Sequence, residues 1–241
     1  MTTASIILTG LPRLGLSTDL LINNWGHYDR ITWYIALWRR KLPHYTDYSD
    51  LTDKELFKLF SSRLPPNHNI AECGWYCEQD FDTIPKCYTE FYSRPENIWY
   101  GHKLAQRMNT IRRYRQIPTD LIIRARTDAA PHAAVSLHAV NQILEQNPMY
   151  ILCPNDQRQT ELDYNDQLTI GLEHTMNTVF DSVDWFDRLY TLGIPYNSEW
   201  LESVYLKNLA ITWPRPDWSS TLRRTGVTTD TEYIPDLGTW L

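Results

Sequence analysis

The sequence predicts a single α/β domain with a mostly parallel central sheet flanked by helices. Three observations predict it. An apolar strand opens the chain at residues 4–9, a second apolar run lies at residues 121–123, and helical and strand patterns alternate around the second run. Short uninterrupted apolar runs are typical of central strands that are covered on both faces. No shift in composition divides the 241 residues, so we predict one domain, residues 1–241.

The composition and charge exclude several classes of protein. With 42% hydrophobic and 13% aromatic residues, the chain has enough apolar side chains for a packed core. The net charge of −6 argues against a nucleic-acid partner, because such proteins present basic surfaces to phosphates. No apolar run has the length of a transmembrane segment, and the first residues do not resemble a signal peptide. We therefore expect a cytoplasmic protein without a transmembrane segment.

The cysteines leave two interpretations open. Cys73, Cys77, Cys87 and Cys153 contain no Cys-x-x-Cys pair, the pattern that zinc ribbons and redox motifs use. Free thiols in a reducing compartment are one interpretation. A zinc site formed by the first three cysteines and a histidine such as His102 is the other.

The first strand, at residues 4–9, is interrupted by Gly10-Leu-Pro-Arg13, because glycine and proline break extended structure. Residues 17–25 predict a short capped helix. The stretch at residues 28–38 is strongly apolar and aromatic and fits either a helix or a strand.

The middle of the chain contains two predicted helices and a long irregular stretch. Residues 45–64 predict a helix that ends before two prolines. Residues 67–95 lack periodicity and carry three cysteines, which predicts a functional loop or lid. Residues 98–116 predict the second helix, with arginines collected near its end, where they suit the helix dipole.

Strand and helix patterns continue to the end of the chain. Residues 133–146 predict a helix and residues 149–153 predict a strand. A strand pattern at residues 164–171 precedes a long amphipathic helix that a glycine at position 193 ends. A further helix capped by Asn197 or Ser198, and a last strand at residues 211–213, complete the prediction.

A polar cluster follows the second apolar run, in Asp120-Leu-Ile-Ile-Arg-Ala-Arg-Thr-Asp128. In open α/β sheets, ligands bind outside the carboxyl ends of strands, so we expect Arg124, Arg126 and Asp128 at a site. An arginine binds phosphate oxygens as a planar fork, and a neighbouring carboxylate holds a divalent metal that bridges the same phosphates. The cluster suits a nucleotide diphosphate. The alternative is a strand that ends in ordinary solvated charges.

Four segments, taken together and in order, resemble nucleotide-sugar glycosyltransferases with a GT-A-like fold. Such enzymes occur in lipopolysaccharide and capsule loci, WavE-like proteins among them, and in some large viruses and phages. The resemblance implies a donor-nucleotide half at about residues 1–130 and an acceptor half at about residues 131–241. The segments are Gly10-Leu-Pro-Arg13, residues 120–128, Asn165-Asp-Gln-Leu-Thr-Ile-Gly171 and Asn197-Ser-Glu199.

The resemblance implies donor-binding roles for Gly10, Arg13, Arg124 and Arg126. It also implies that Asp128 holds Mn²⁺ or Mg²⁺ against the donor diphosphate. The chain departs from the Asp-x-Asp motif of these enzymes, because Arg126 stands where the first aspartate would be. Neutralisation of the leaving diphosphate by Arg126 itself is the alternative to a metal.

On the acceptor side, the resemblance implies that Asp166 is the catalytic carboxylate. A base must deprotonate the incoming hydroxyl in an inverting transferase. Asn165, Gln167, Gly171 and Glu199 are expected on the same side of the site. The alternatives are an Asx turn around Asp166 and a helix-dipole role for Glu199.

The function implied by the resemblance is a hexosyl- or pentosyltransferase that uses a nucleotide-diphosphate sugar, with a UDP- or GDP-sugar as the expected donor. The acceptor would be a glycan or glycoprotein in the cytoplasm, or in the host cytoplasm for a viral source. The competing hypothesis is a non-catalytic carbohydrate-binding or interaction protein, which gains if Asp128 and Asp166 lie far apart. The absence of a Gly-rich loop with Lys-Ser/Thr and of a Gly-x-Gly-x-x-Gly turn favours the sugar-nucleotide interpretation over other nucleotide enzymes.

Overall fold

The computed structural model describes residues 2–12, 22, 23, 25, 30–39, 48–81, 95–131, 135–153, 164, 166–214 and 220–222. The strands in these ranges are β1 (Thr3–Gly10), β2 (Arg30–Trp38), β3 (His68–Tyr76), β4 (Leu121–Arg126), β5 (Ala129–Pro131), β6 (Ile151–Leu152), β7 (Leu168–Leu172) and β8 (Ser220–Leu222). The α-helices are α1 (Asp53–Ser61), α2 (Pro95–Arg115), α3 (Leu137–Gln146), α4 (Glu173–Asp181), α5 (Phe186–Thr191) and α6 (Ser198–Asn208), and 3₁₀ helices occur at Glu78–Asp80 and Ser182–Trp185. Among the described helices, none is both long and apolar enough to cross a membrane.

Six strands form the central sheet, in the order β3-β2-β1-β4-β7-β6. The first four are parallel to one another, whereas β7 runs antiparallel to both β4 and β6. Strands β5 and β8 pair separately as a small antiparallel ribbon. The structure therefore confirms the predicted fold class, a single α/β domain whose mostly parallel sheet is flanked by helices.

Helices cover both faces of the sheet. Side chains alternate along each central strand, so each strand presents apolar residues on both faces, and the helices bury them. Ile123 of β4 belongs to the cluster that packs against α1 and α3. Its neighbour Ile122 belongs to the cluster on the opposite face, against α2, α4 and α6. By the same alternation, Arg124 and Arg126 lie on the face that α2 and α6 cover.

The winding of the chain reverses between β1 and β4. The crossover from β2 to β3 uses α1 on one face, and the crossover from β3 to β4 uses α2 on the other. In doubly wound sheets this reversal leaves a crevice at the carboxyl ends of the two central strands. Gly10 ends β1 and Arg126 ends β4, so the first two segments of the resemblance meet at this crevice.

Local signals explain where two of the helices begin. Thr52 caps α1 in a reciprocal capping box, in which the Glu55 N–H donates to Thr52 Oγ1 (3.3 Å) and the Thr52 N–H donates to Glu55 Oε2 (2.8 Å). Asn197 caps α6, because its side-chain oxygen accepts from the Trp200 N–H (3.1 Å). The predicted cap at Asn197 is confirmed.

The predicted loop or lid at residues 67–95 is wrong over its first part, since residues 68–76 form β3. This strand lies at the edge of the sheet and is mostly half-buried, so it lacks the apolar run of a central strand. Residues 82–94 of the same prediction lie outside the described residues. The ambiguous stretch at residues 28–38 is a strand, β2.

Two further predictions differ from the structure, and a third is largely untested. The amphipathic helix expected before Gly193 is divided into α4, the Ser182–Trp185 3₁₀ helix and α5, and Gly193 follows with a φ of 91°. The strand predicted at residues 211–213 is reduced to a single bridge between Tyr150 and Thr212. Most of the helix predicted at residues 17–25 lies outside the described residues.

Candidate functional site

Arg126 and Asp128 form a two-point ion pair at the carboxyl end of β4. Nε and Nη2 of Arg126 donate to Oδ1 and Oδ2 of Asp128 at 3.0 and 2.9 Å. Asp128 is 2% exposed, whereas the Arg126 side chain is 32% exposed. Burial lowers the pKa of Arg126, but the charges of Asp128 and Asp166 outweigh it and raise that pKa above its ordinary value. The guanidinium is therefore charged and fixed in direction.

The turn after β4 is bonded to the end of β1. The Thr127 N–H donates to the Thr9 carbonyl (3.2 Å), and Thr127 Oγ1 donates to the Leu11 carbonyl (2.7 Å). Gly10 has a φ of 140°, and a Cβ at this position would lie 3.0 Å from Thr127 Oγ1. Only glycine fits this conformation without strain. The structure thus brings the Gly10 segment against the Arg126–Asp128 turn, while Arg13 lies outside the described residues.

Asp166 lies at the same edge of the sheet, in the turn that precedes β7. Because β7 runs antiparallel to β4, its beginning lies beside the end of β4, and the Arg126 N–H donates to the Gln167 carbonyl (2.9 Å). Asp166 is 7% exposed, and the Ser198 side chain contributes to a lowered pKa of its carboxyl. The charges of Asp128 and Asp166 both act on Arg126, so the two predicted site carboxylates lie around one guanidinium.

The charges around Asp166 set its protonation state. Burial raises the pKa of Asp166, but the positive charges of Arg126 and then Arg124 outweigh burial and hold the pKa below its ordinary value. The carboxylate is therefore ionised at neutral pH. A lowered pKa also makes it a weak proton acceptor as long as these charges remain unscreened.

Arg124 lies deeper, in a buried cluster between α2 and α6. Its Nη1 donates to Glu202 Oε1 (2.7 Å), and its Nη2 donates to His102 Nε2 (2.9 Å). His102 Nδ1 lies 2.9 Å from the Ile98 carbonyl, which fits the neutral ring with hydrogen on Nδ1. Ser182 Oγ also donates to Glu202 Oε1 (3.3 Å). All three charged or ring side chains of the cluster are less than one-tenth exposed.

The Arg124 guanidinium is thus buried and already engaged. It is held by Glu202 and His102, and its pKa is raised because the charges of Glu202, Tyr164 and Asp166 outweigh its burial. Its influence on the edge of the sheet is electrostatic, through the lowered pKa of Asp166. A direct contact of Arg124 with the donor is expected from the sequence, but the Arg124 side chain is buried in the structure.

Arginines contact several of the side chains that could hold a divalent metal. Among the described residues, His102, Asp166 and Glu202 are the group of three whose ligand atoms all lie within 4.8 Å of one another. Arg124 is hydrogen-bonded to two of them, and Arg126 holds both oxygens of Asp128, the predicted ligand. A metal at either place would stand against a permanent cation. Asp128, with both oxygens bound by Arg126, therefore does not fit Mn²⁺ or Mg²⁺ as arranged, whereas Glu202 Oε2 of the deeper group accepts no hydrogen bond from a described residue.

The cysteines give the zinc interpretation no support. Burial, followed by the charges of Asp53 and Glu72, raises the pKa of Cys73 to about 12, and among the described residues no group of three close ligand atoms includes a cysteine. Cys77 Sγ donates to Asp80 Oδ2 (3.2 Å). His102, the proposed fourth ligand, directs its ring nitrogens to other groups. Cys87 lies outside the described residues.

The remaining predicted residues have mixed positions. Gln167 is buried beside Arg126, and Asn165 lies outside the described residues. Gly171 pairs with Ile122 within the sheet, and a Cβ there would lie 2.9 Å from Met176 Cγ, so this glycine makes room for core packing. Glu199 lies in the first turn of α6, as the helix dipole favours.

Sequence reasoning missed Glu202, which is fully buried and binds Arg124. A signal was present, because Glu202 stands beside Leu201 and four residues before Leu206, both buried positions of α6. A charged residue on the inward face of a helix requires a buried partner. His102 was considered only as a zinc ligand, although it lies on the inward face of α2 with Ala105.

Comparison with models of known protein families and with curated protein sequences gives no match for this chain.

Proposed function

We propose that the chain is a glycosyltransferase that moves a sugar from a nucleotide-diphosphate sugar to a hydroxyl of a glycan. One observation carries the proposal: Arg126, Asp128 and Asp166 meet at the carboxyl ends of β1 and β4, where the winding of the sheet reverses. Nucleotides bind at this crevice in doubly wound sheets. An arginine fork and a buried carboxylate are the groups that phosphate binding and proton transfer require.

The donor side of the site consists of the β1 end and the β4 turn. Gly10 has no side chain, so the end of β1 packs closely against Thr127 of the β4 turn. Arg126 supplies a fixed positive charge for the diphosphate of a UDP- or GDP-sugar, and we assign a similar role to Arg13. Mn²⁺ or Mg²⁺ takes part in no step of this proposal, because arginine already contacts the carboxylates that would hold it.

The acceptor side centres on Asp166. The acceptor oxygen attacks the anomeric carbon and its proton passes to Asp166. The bond from that carbon to the donor phosphate oxygen breaks, and its electron pair leaves with the nucleoside diphosphate. The negative donor phosphates offset the charge of Arg126, so binding of the donor raises the pKa of Asp166 and makes it a stronger base.

Donor binding and transfer test this proposal separately. Purified protein is heated with UDP-, GDP-, CMP- and dTDP-sugars, each with Mn²⁺, with Mg²⁺ and with EDTA. We expect at least one UDP- or GDP-sugar to raise the melting temperature, because a ligand that binds the native state stabilises it. If no donor raises it at saturating concentration, the proposal is wrong.

A substitution at Asp166 then tests the role of the base. We expect Asp166→Asn to retain the donor-induced shift and to lose transfer by a factor of about 10² or more. Asp181→Asn is the matched control, since Asp181 is 46% exposed and lies 4.0 Å from Arg113. Full transfer by the Asp166 variant would show that another group is the base.

A surface pocket supports the alternative of a non-catalytic carbohydrate-binding protein. The pocket has a volume of about 470 Å³ and lies between the Glu78–Asp80 3₁₀ helix and α2. Phe81, Trp99 and Gln79 line it, and Arg107 and Lys103 lie over the two rings. Aromatic and amide groups suit sugar rings and hydroxyls. Glycan binding without any donor-induced shift would favour this alternative.

A further inference from the structure

Asp128 occupies only one of the two hydrogen-bonding edges of the Arg126 guanidinium. The side edge, Nε and Nη2, donates to Asp128. The end edge, which consists of Nη1 and the second hydrogen of Nη2, makes no hydrogen bond to a described residue. The arginine side chain is 32% exposed and the aspartate 2% exposed. The part of this pair that a ligand can reach is therefore the arginine.

The backbone fixes the pair in the crevice. The Arg126 N–H is bonded to Gln167 of the strand on one side, and the Thr127 N–H is bonded to Thr9 of the strand on the other. The N–H groups of Arg126 and Thr127 are both hydrogen-bonded, and Asp128 holds the side edge of the guanidinium. The end edge therefore has a fixed direction. A guanidinium fixed before its ligand arrives loses less conformational entropy on binding.

We propose that Asp128 is a positioning residue for Arg126, and that the free end edge of Arg126 binds the donor diphosphate directly, without a divalent metal. This inference rests on the proposed function. It assigns Asp128 a different role from the metal ligand expected in the resembling enzymes. Two parallel N–H groups at the end of a guanidinium match two phosphate oxygens, so one residue supplies both charge and direction.

A metal at Asp128 would have to displace the arginine or stand beside it. Both carboxylate oxygens already accept hydrogen bonds from Arg126. The buried group deeper in the fold also contains a guanidinium, since Arg124 contacts His102 and Glu202. At both places a guanidinium supplies positive charge.

Calorimetric titration with UDP and with GDP, in EDTA and again in Mn²⁺, tests the inference. We expect one of them to bind with the same affinity, within about threefold, under both conditions. Binding only with Mn²⁺ would overturn the inference and leave the glycosyltransferase proposal intact. No binding of either nucleotide, nor of their sugars, under both conditions would overturn the two together.

Substitution of the arginine tests the fork. Arg126→Lys keeps the charge and loses the paired N–H groups. We expect it to lower the affinity for the nucleotide at least about tenfold in EDTA, and Mn²⁺ should not restore that affinity. Arg113→Lys is the control, because Arg113 is 53% exposed on α2, and its affinity should be unchanged. An unchanged affinity of the Arg126 variant would contradict the direct contact.

Substitution of the aspartate tests positioning. We expect Asp128→Asn to reduce the preference for UDP over UMP, or for GDP over GMP, by about tenfold, since a misdirected fork loses the diphosphate contact. Asp128→Glu should restore part of this preference. A lower melting temperature with an unchanged preference would show that Asp128 is only structural, and would overturn its positioning role.

Discussion

Gly10 is the residue whose conformation is most constrained at the crevice. Its φ of 140° disfavours any side chain, and so does the Thr127 hydroxyl, which would lie 3.0 Å from an added Cβ. We expect Gly10→Ala to lower the free energy of unfolding by about 1–3 kcal/mol, because the backbone would be strained. Urea denaturation of the variant and the wild type measures this change.

A second glycine supplies the control for this prediction, with the opposite sign. Gly101 lies within α2, and no heavy atom lies within 4 Å of an added Cβ. Gly101→Ala should raise the free energy of unfolding by about 0.5–1 kcal/mol, since alanine is the better helix former. Equal effects of the two substitutions would contradict the strain argument.

The residues at the end of β4 show what sequence reasoning can find at a site. Arg126 and Asp128 were predicted because they follow an apolar run directly, and the end of a central strand is where ligands bind. Their spacing of two residues does not predict that Arg126 and Asp128 are bonded to each other. Glu202 was missed because its partner, Arg124, lies 78 residues away on another element.

The same contrast holds for the secondary structure. Strands β1 and β4 were predictable because both faces are covered and their side chains form continuous apolar runs. Strand β3 was not, because an edge strand has one neighbour and tolerates polar residues such as Asn69 and Glu72. The antiparallel direction of β7 was also hidden, since a strand pattern carries no information about direction.

The Arg124–Glu202 pair, together with His102, joins three elements, β4, α2 and α6, across the interior. Removing one partner leaves a buried charge without compensation. We expect Glu202→Gln to lower the free energy of unfolding by about 3 kcal/mol, measured by urea denaturation. The protein should remain folded enough for a two-state transition to be recorded.

An exposed ion pair provides the comparison for Glu202. Asp184, with a side chain 51% exposed, pairs with Lys103 of α2. Asp184→Asn should change the free energy of unfolding by less than about 1 kcal/mol, because solvent screens this pair. A loss as large as that of Glu202→Gln would show that burial is not the deciding factor.

At the scale of the whole molecule, the doubly wound sheet explains why residues from distant segments share one crevice. Central strands β1 and β4 end side by side, and antiparallel β7 begins there. Segments that precede a strand and segments that follow one therefore meet at the same edge. This topology could be predicted as a class from alternating patterns, but the order of its strands could not.

The buried site carboxylate also links global stability to pH. The pKa of Asp166 is held below its ordinary value of 3.8 in the folded protein, because Arg126 and Arg124 outweigh its burial. Its stabilising contribution is complete above that ordinary value and is lost as the pH falls through the lower folded pKa. We expect the free energy of unfolding of Asp166→Asn to decline less steeply with acid than that of the wild type.

Urea denaturation at a series of pH values from neutral to about 3 measures this dependence. The Asp181→Asn variant is again the control, since its carboxylate is 46% exposed. Parallel acid profiles for the wild type and Asp166→Asn would show that the two arginines do not hold this carboxylate in its charged form.

The central strand pair also has a consequence for synthesis on the ribosome. Thr3 of β1 donates through its N–H to the side chain of Asp120, which immediately precedes β4 and lies 117 residues later in the chain (2.7 Å). At typical elongation rates of about 5–20 residues per second, the second central strand follows the first by on the order of ten seconds. During that interval one side of β1 is an unpaired apolar edge, which is the kind of surface that chaperones protect from aggregation.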